Sequence, residues 1–269
     1  MKRIGILGGG WLGSALGIEA KKKGHEAKLT TTTKAKVDQL KQQGFSVQFL
    51  KISESSVVGE SKFFEGIDTL VITIPPGLRK NPQQNYVALV EQIIQKAELY
   101  KIERILFTSS TSVYGHQEGI ITESSKLMGD TPSAKQIMAV EQRLVKNESF
   151  ESCIIRLGGL MGPNRHPIFT LSGKRNLPNP RSPINFIHQK DAVAILIKIL
   201  ENWKGNQTFN AVTPFHLSRK EYYEQIAKIA QVPPPTFEQD GLIRGTISSK
   251  KIISESNYQF TVKNLLILN

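Results

Sequence analysis

The feature that most constrains this chain is the alternation that begins at its first residues. An apolar run, Arg3 to Leu7, passes straight into Gly8, Gly9 and Gly10, then into a stretch of helical spacing from about Leu12 to Lys23 that Gly24 ends. The pattern recurs, with apolar runs at Glu26 to Thr31, Ser46 to Ile52, Asp68 to Ile74, Glu103 to Ser110 and Ser152 to Gly158. Helical patterns fall between several of them: Lys34 to Gln43, Asn85 to Lys101 and Ser133 to Asn147. Short apolar strands joined by amphipathic helices predict an α/β fold with a parallel sheet covered on both faces, since parallel neighbours need long crossovers. Pro75 and Pro76 halt the fourth run, because proline has no N–H to give to a central ladder.

The second half is less regular. Gly162 to Arg181 is rich in Pro, Gly and Arg and predicts a long loop. Ile184 to His188 reads as a short strand, and Asp191 opens a helix to Trp203 that is apolar nearly all round and hence buried. Gln207 to Val212 reads as a last sheet strand, and Thr236 to Gln239 as a further strand. Ser218 and Glu221 form a capping-box pattern at the head of an amphipathic helix to Ala230. There is no internal repeat and no clean linker, so the expected organisation is interleaved. Residues 1–160 and 185–212 form the sheet domain, and 161–184 and 213–269 a small substrate lobe.

With 269 residues, 39% hydrophobic and 22% charged, the chain can bury a sizeable core. One cysteine, Cys153, excludes an intrachain disulfide, and its apolar surroundings read as a core strand; a reducing cytoplasm fits. No apolar run approaches the roughly 20 residues of a membrane span, and the start reads as a strand and glycine turn rather than a signal peptide. A net charge of +12 favours polyanions. The lysines, however, are scattered along helices, and no helix-turn-helix, RNA-recognition or zinc pattern accompanies them. The charge therefore predicts solvated helix faces and one phosphate-rich ligand rather than a nucleic-acid partner. The histidines and the cysteine show no metal-ligand spacing.

Gly8, Gly10 and Gly13 form G-x-G-x-x-G directly after the first strand, with Trp11 and Leu12 opening the helix. Gly8 suits a tight turn, Gly10 close approach of backbone to a pyrophosphate, and Gly13 close packing of helix on strand. The helix N-terminus offers N–H groups to the phosphates. This predicts dinucleotide binding. A carboxylate about 20 residues on normally holds the ribose 2′-hydroxyl of NAD. Here Thr30, Thr31, Thr32 and Thr33 precede Lys34, which suits a 2′-phosphate and so favours NADP; Lys34 as an ordinary exposed first-turn lysine is the alternative. Pro75, Pro76 and Gly77 end a strand on the ligand side.

Residues Phe107 to Gly115 read FTSSTSVYG. This string resembles the S-S-x-x-V-Y-G segment of the extended short-chain dehydrogenase/reductases, many of them nucleotide-sugar epimerases and dehydratases. The resemblance continues in RLGGLMGP from Arg156, in INFIHQKDAV from Ile184, and in QTFNAV with the helix after it. It implies a Rossmann-type doubly wound parallel sheet with a small interleaved C-terminal lobe, of the compact, atypical branch of that family. Extended members more often read G-x-x-G-x-x-G, with a glycine where Leu7 stands here. Ser110 matches the family's catalytic Ser, while Ser109 borders the cofactor and Thr111 the substrate. In the family this Ser works with a Tyr and a Lys spaced Y-x-x-x-K. Here those places hold Ser133 and Ile137, and none of the six Tyr has a Lys four residues later. A Ser without a base partner is a poor acid, so proton transfer would fall to His166, His188 or a water held by Ser110. Arg156, Arg165 and His166 are candidates to hold a substrate anion, or are turn residues with solvated charges; Arg175 and Arg181 are weaker forms of the same idea. Asn185 and His188 face a substrate on this reading, with His188 as a hydrogen-bonded structural residue the alternative, and Asp191 caps the helix after it.

The resemblance implies an oxidoreductase or epimerase acting on a small polar or sugar-nucleotide substrate, as a monomer or homodimer, and the threonines with Lys34 make NADP its expected cofactor. The missing Tyr and Lys make a non-catalytic NADP(H)-binding sensor or scaffold the alternative.

Overall fold

A computed structural model describes residues 1–59 and 61–269. Among these residues the first half forms β1 (Arg3–Leu7), α1 (Trp11–Lys22), β2 (Glu26–Thr31), α2 (Lys34–Gln42), β3 (Ser46–Ile52), β4 (Val57–Gly59), β5 (Thr69–Ile72), α3 (Tyr86–Leu99), β6 (Arg104–Ser110), β7 (Ile120–Ile121) and α4 (Pro132–Lys146). There follow β8 (Glu151–Leu157), β9 (Gly159–Met161), α5 (Ile168–Leu171), β10 (Phe186–His188), α6 (Gln189–Glu201), β11 (Gln207–Ala211), α7 (Arg219–Ala230), β12 (Thr246–Ile247) and α8 (Lys250–Ser256). Single 3-10 turns lie at Ser61–Phe64 and Thr111–Tyr114.

The large sheet has the order β11-β8-β6-β5-β1-β2-β3-β4. β1 pairs in parallel with β2 on one side and β5 on the other. The chain therefore winds outward through β2 and β3, then returns to continue from β5. Strand order reverses beside β1, and in open α/β sheets ligands bind at the carboxyl ends of the strands at such a point. The central strands are apolar on both faces, as crossover helices on both sides require: Ile4, Ile6 and Leu7 of β1 and Leu70, Val71 and Ile72 of β5 have no exposed surface.

The expected α/β parallel sheet is present, and the expected strands from Arg3 to Leu7 through Ser152 to Gly158 fall within a residue or two, β5 differing most. There the ladder stops at Ile72, before the prolines, because Thr73 turns its N–H and hydroxyl to the Leu7 carbonyl. The capping box forms, with Ser218 Oγ accepting from the Glu221 N–H and the Glu221 carboxylate accepting from the Ser218 N–H. Two expectations are corrected and one strand is added. Thr236 to Gln239 makes one isolated bridge, Leu177 with Phe237, instead of a strand; the three prolines before it remove the donors a ladder needs. Asp191 does not cap its helix, which begins at Gln189. Its fully buried carboxylate accepts from Tyr258 Oη at 2.6 Å and from the N–H groups of Thr261 and Val262 at 2.7 and 3.0 Å, tying down the C-terminal segment. β4, a three-residue antiparallel edge strand, was too short and too exposed to show as a pattern.

The chain divides into two compact units. The first comprises residues 1–109, 131–155 and 196–208, the second residues 110–130, 156–195 and 209–269. The second has its own core of Met161, Ile168, Ile184, Tyr222, Tyr223, Ile226, Ala227 and Leu265. No helix among the described residues is long and apolar enough to cross a membrane.

Candidate functional site

In the first unit, β1 delivers the chain into a glycine turn whose geometry excludes other residues. Gly8 has φ +106°, and a Cβ there would lie 2.8 Å from Thr73 Oγ1. A Cβ on Gly13 would lie 2.0 Å from the Gly8 carbonyl oxygen, so α1 rests directly on the turn. Gly10 differs. It precedes α1 with no side-chain cap, and nothing lies within 4 Å of the place its Cβ would take. The space outside Gly10 is open at the N-terminus of α1, the kind of place that receives a phosphate. Trp11 begins the helix half-buried, and the Leu12 side chain turns into the core.

β2 ends beside this turn. Thr30 Oγ1 accepts from the Gly8 N–H at 3.1 Å, and the Thr30 carbonyl accepts from the Gly9 N–H. Thr31 Oγ1 accepts from the Thr33 N–H at 3.2 Å. Thr32, Thr33 and Lys34 are exposed, with the Lys34 ammonium 5.6 Å from the centre of the Phe49 ring. After β5, Pro75 is exposed and Pro76 half-buried. Thr73 Oγ1 lies 2.9 and 3.0 Å from the Leu7 and Gly8 carbonyls, which ties this segment to the glycine turn.

β6 carries Ser109 and Ser110 at its end. Ser109 is buried and its hydroxyl donates to the Glu141 carboxylate on α4. Glu141 lies on the apolar stripe of that helix with Ile137 and Leu144, so spacing of four residues from Ile137 was the signal that it faces inward. Ser133 is half-buried in the first turn of α4 and Ile137 is buried.

The second unit begins at Ser110, whose Oγ accepts from the Ser112 N–H at 3.1 Å and caps the 3-10 turn. Thr111, the first residue of that turn, is half-buried. Tyr114 closes the turn, buried, its hydroxyl donating to Asn210 Oδ1 at 2.7 Å. Arg156 Nη1 donates to the same hydroxyl at 2.9 Å, with its guanidinium 5.1 Å from the centre of the ring. Burial holds the Tyr114 phenol above its ordinary pKa, against the opposing charge of Arg156. Arg156 is thus a buried partner of Tyr114.

The loop after β9 separates its two predicted residues. Gly162 and Arg165 bridge across a turn at Pro163 and Asn164, where Asn164 takes φ +57°. Arg165 stays exposed, while His166 turns into the core. His166 Nδ1 accepts from the Ile168 N–H at 3.1 Å, which leaves Nε2 as the protonated nitrogen donating to Tyr222 Oη at 2.9 Å. Burial pushes the His166 pKa down to about 4. His188 is also buried, its Nδ1 accepts from the Lys190 N–H, and burial lowers its pKa. Asn185 spends its side-chain amide on the Gly245 carbonyl and the Ile247 N–H.

A pair of arginines escaped the sequence reading. Arg219, first residue of α7, gives Nη1 to the Pro178 carbonyl and lies 5.7 Å from the centre of the Phe237 ring. Its pKa is lowered, first by burial and further by the like charge of Arg244. Buried Ser182 fixes Arg244, since its Oγ accepts from the Arg244 N–H at 2.9 Å and donates to the Leu242 carbonyl. Nothing in the sequence brings positions 219 and 244 together; the fold does. Among the described residues no cluster of side chains suits a metal ion.

Residues 4–211 match the model of the NAD dependent epimerase/dehydratase family. The chain belongs to that family. Protein YeeZ of Escherichia coli (strain K12) is 29% identical over 274 residues, covering 100% of this chain and 99% of that protein. Among solved structures, UDP-N-acetylglucosamine 4-epimerase from Bacillus cereus superposes with a TM-score of 0.79 at 15% identity, over 97% of this chain and 94% of that one. MoeE5 in complex with UDP-glucuronic acid and NAD gives a TM-score of 0.78 at 17% identity, over 98% and 96%. This member of the epimerase/dehydratase family carries the glycine turn and the FTSSTSVYG strand end, with Ser133 and Ile137 in the first turns of α4.

Proposed function

We propose that the protein binds a nicotinamide dinucleotide, NADP(H) in preference to NAD(H), on the glycine turn after β1. With it the protein acts as an oxidoreductase or epimerase on a small phosphorylated or sugar-nucleotide substrate. The turn itself carries the reading: Gly8 and Gly13 are locked by contact, while Gly10 leaves open space in front of a helix N-terminus. The residues present fit the dinucleotide. Gly10, Trp11 and Leu12 would give N–H groups to its pyrophosphate. Thr32, Lys34 and the uncapped start of α2 would meet a 2′-phosphate, where a carboxylate would repel one. When bound, the dinucleotide supplies hydride transfer. That MoeE5 holds NAD together with UDP-glucuronic acid supports a nicotinamide dinucleotide and a sugar-nucleotide ligand in this fold; the preference for NADP(H) rests on Thr32 and Lys34 alone.

On the substrate side, Ser110 accepts the Ser112 N–H through a lone pair, so its own proton is available to a substrate oxygen or to a water. His166 is buried with both ring nitrogens hydrogen-bonded, whereas His188 is bonded at Nδ1 and its buried Nε2 has no partner among the described residues. A water that Ser110 would hold and His188 are therefore the better proton carriers of the candidates. Arg219 and Arg244, whose backbone N–H groups both bond to Ser182, would hold a phosphate or diphosphate. Arg165 is the exposed cation nearest in sequence to His166.

A second reading rests on Ser133 and Ile137. Without the Tyr and Lys that resemblance leads one to look for, the same fold would serve as a sensor of NADP(H) that binds and does not turn over.

Calorimetry with NADPH and NADH, followed by assay of UDP-sugars with NADPH or NADP, tests both. Tighter NADPH binding with turnover supports the oxidoreductase or epimerase. Tight binding without turnover of any substrate moves the protein to the sensor reading. NADH bound as tightly as NADPH removes the cofactor preference.

A further inference from the structure

The N-terminal part of α4 has a use that proton transfer does not account for. Gln136 lies there, next to Ile137 and three residues after Ser133. Its Oε1 accepts from the Tyr86 N–H at 2.5 Å, and its Nε2 donates to the Gln84 carbonyl at 3.1 Å. One side chain thus holds both sides of the start of α3. Tyr86, first residue of α3, is 1% exposed. Its hydroxyl donates to the Ile74 carbonyl at 2.7 Å. Ile74 immediately precedes Pro75, Pro76 and Gly77.

That turn cannot hold itself from within. Pro75 and Pro76 have no N–H to donate, and the strand ladder has already ended at Ile72. Its upstream end is fixed by Thr73 to the glycine turn. Its downstream end accepts from Lys80 and Asn81 at the Gly77 carbonyl. Between them, the Tyr86 hydroxyl is the side-chain tether. Sheet order then says what the turn faces. β2 and β5 flank β1 on opposite sides. A dinucleotide with its pyrophosphate after β1 and its adenosine ribose at the end of β2 extends its other half over the end of β5.

We propose that Tyr86 and Gln136 are a positioning pair that sets the turn Thr73 to Gly77 against the nicotinamide riboside half of the dinucleotide. The N-terminal part of α4 thereby serves cofactor placement through a neutral amide. The inference rests on the dinucleotide reading above and adds to it which half of the ligand these residues serve. Neither residue contacts the ligand; both act through the turn. Burial raises the Tyr86 pKa, so the phenol stays a donor throughout the working range.

The test compares whole and half ligands on the full chain. Tyr86→Phe removes one hydroxyl and keeps the ring; Gln136→Leu removes both amide bonds. Dissociation constants are measured for NADPH and for 2′,5′-ADP, which carries the adenosine half alone. Tyr100→Phe, at the other end of α3, is the control. Loss of one such hydrogen bond predicts NADPH binding weaker by about three- to tenfold. Binding of 2′,5′-ADP should stay within about twofold of the unmodified protein. Equal weakening of both ligands would show general damage to the fold and overturn the proposal, as would unchanged NADPH binding in both variants. An unmodified protein that binds neither ligand overturns the dinucleotide reading and this role with it, and is distinguishable because the variants are then not needed.

Discussion

The Ser109 hydroxyl donates to the Glu141 carboxylate, and both side chains are more than nine-tenths buried. The pair joins the carboxyl end of β6 to the middle of α4, so the strand that presents Ser110 is fixed against the helix that carries Ser133. A buried carboxylate that loses its donors, or a buried hydroxyl that loses its acceptor, costs about 1–3 kcal/mol. Glu141→Leu should therefore lower unfolding free energy by about 1–3 kcal/mol, measured by urea denaturation. Glu141→Gln keeps an acceptor oxygen of the same shape and should cost less. Equal losses in the two variants would mean that the carboxylate contributes through its charge or its other contacts and not by this bond.

The glycine turn makes two opposite forecasts for one kind of change. Gly13→Ala puts a methyl 2.0 Å from a backbone carbonyl, with no flexible side chain to give way. Overpacking of that sort costs about 1–3 kcal/mol, and the thermal midpoint should fall. Gly10→Ala meets nothing within 4 Å and its backbone, at φ −85°, is open to any residue. Its midpoint should be unchanged, yet the methyl fills the space in front of α1, so NADPH affinity should drop at least tenfold, about 1.4 kcal/mol. A Gly10→Ala protein that binds NADPH normally would remove the pyrophosphate from this turn.

His166 makes stability depend on pH in a defined window. Its pKa in the folded protein is pushed down to about 4 by burial, below the ordinary 6.5. Between those values the unfolded chain binds a proton that the folded chain does not, so stability rises with pH across the window and falls as pH drops from about 6.5 toward 4. Protonation would also put a hydrogen on Nδ1 facing the Ile168 N–H. The loss should be about 1–3 kcal/mol, seen as a falling urea midpoint. His188 and His216 are shifted in the same direction and contribute with the same sign. In His166→Gln the slope should flatten; an unchanged slope would assign the effect to the other histidines.

The strands and the glycine turn were legible because they depend on local signals. Period, apolar runs and the φ +106° of Gly8 are properties of neighbouring residues. The resemblance made Arg156, at the end of a strand, and His166, in the loop beyond it, candidates to hold a substrate anion, with turn residues as the alternative. What decided their placement was distant in sequence: Tyr114 for Arg156, and Tyr222 for His166. Asp191 read as a cap for its own helix until the fold brought residues 258–262 to it. Glu141 lay between these cases. Its helical spacing from Ile137 pointed inward, but its partner on β6 depends on how α4 packs.

Arg219 and Arg244 supply the last prediction. Ser182 accepts from the backbone N–H groups of both, and their like charges oppose each other. Arg219 has its carbonyl partner at Pro178 and its ring partner at Phe237, so it is anchored before any ligand arrives. Arg244 is held through its backbone by Ser182, which leaves the placement of its charge to the ligand. In the absence of an anion, Arg244→Ala relieves repulsion and should leave the thermal midpoint unchanged or slightly higher. With a diphosphate present the same variant loses a charge-assisted partner, worth about 1.5–3 kcal/mol, or at least tenfold in affinity. Calorimetry with UDP-glucose and UDP reads the difference, and added salt should weaken the unmodified protein more steeply than the variant. An Arg244→Ala protein that binds UDP as well as its parent would take the diphosphate away from this pair and leave the two arginines as a cost of folding that the ring of Phe237 and the Pro178 carbonyl offset.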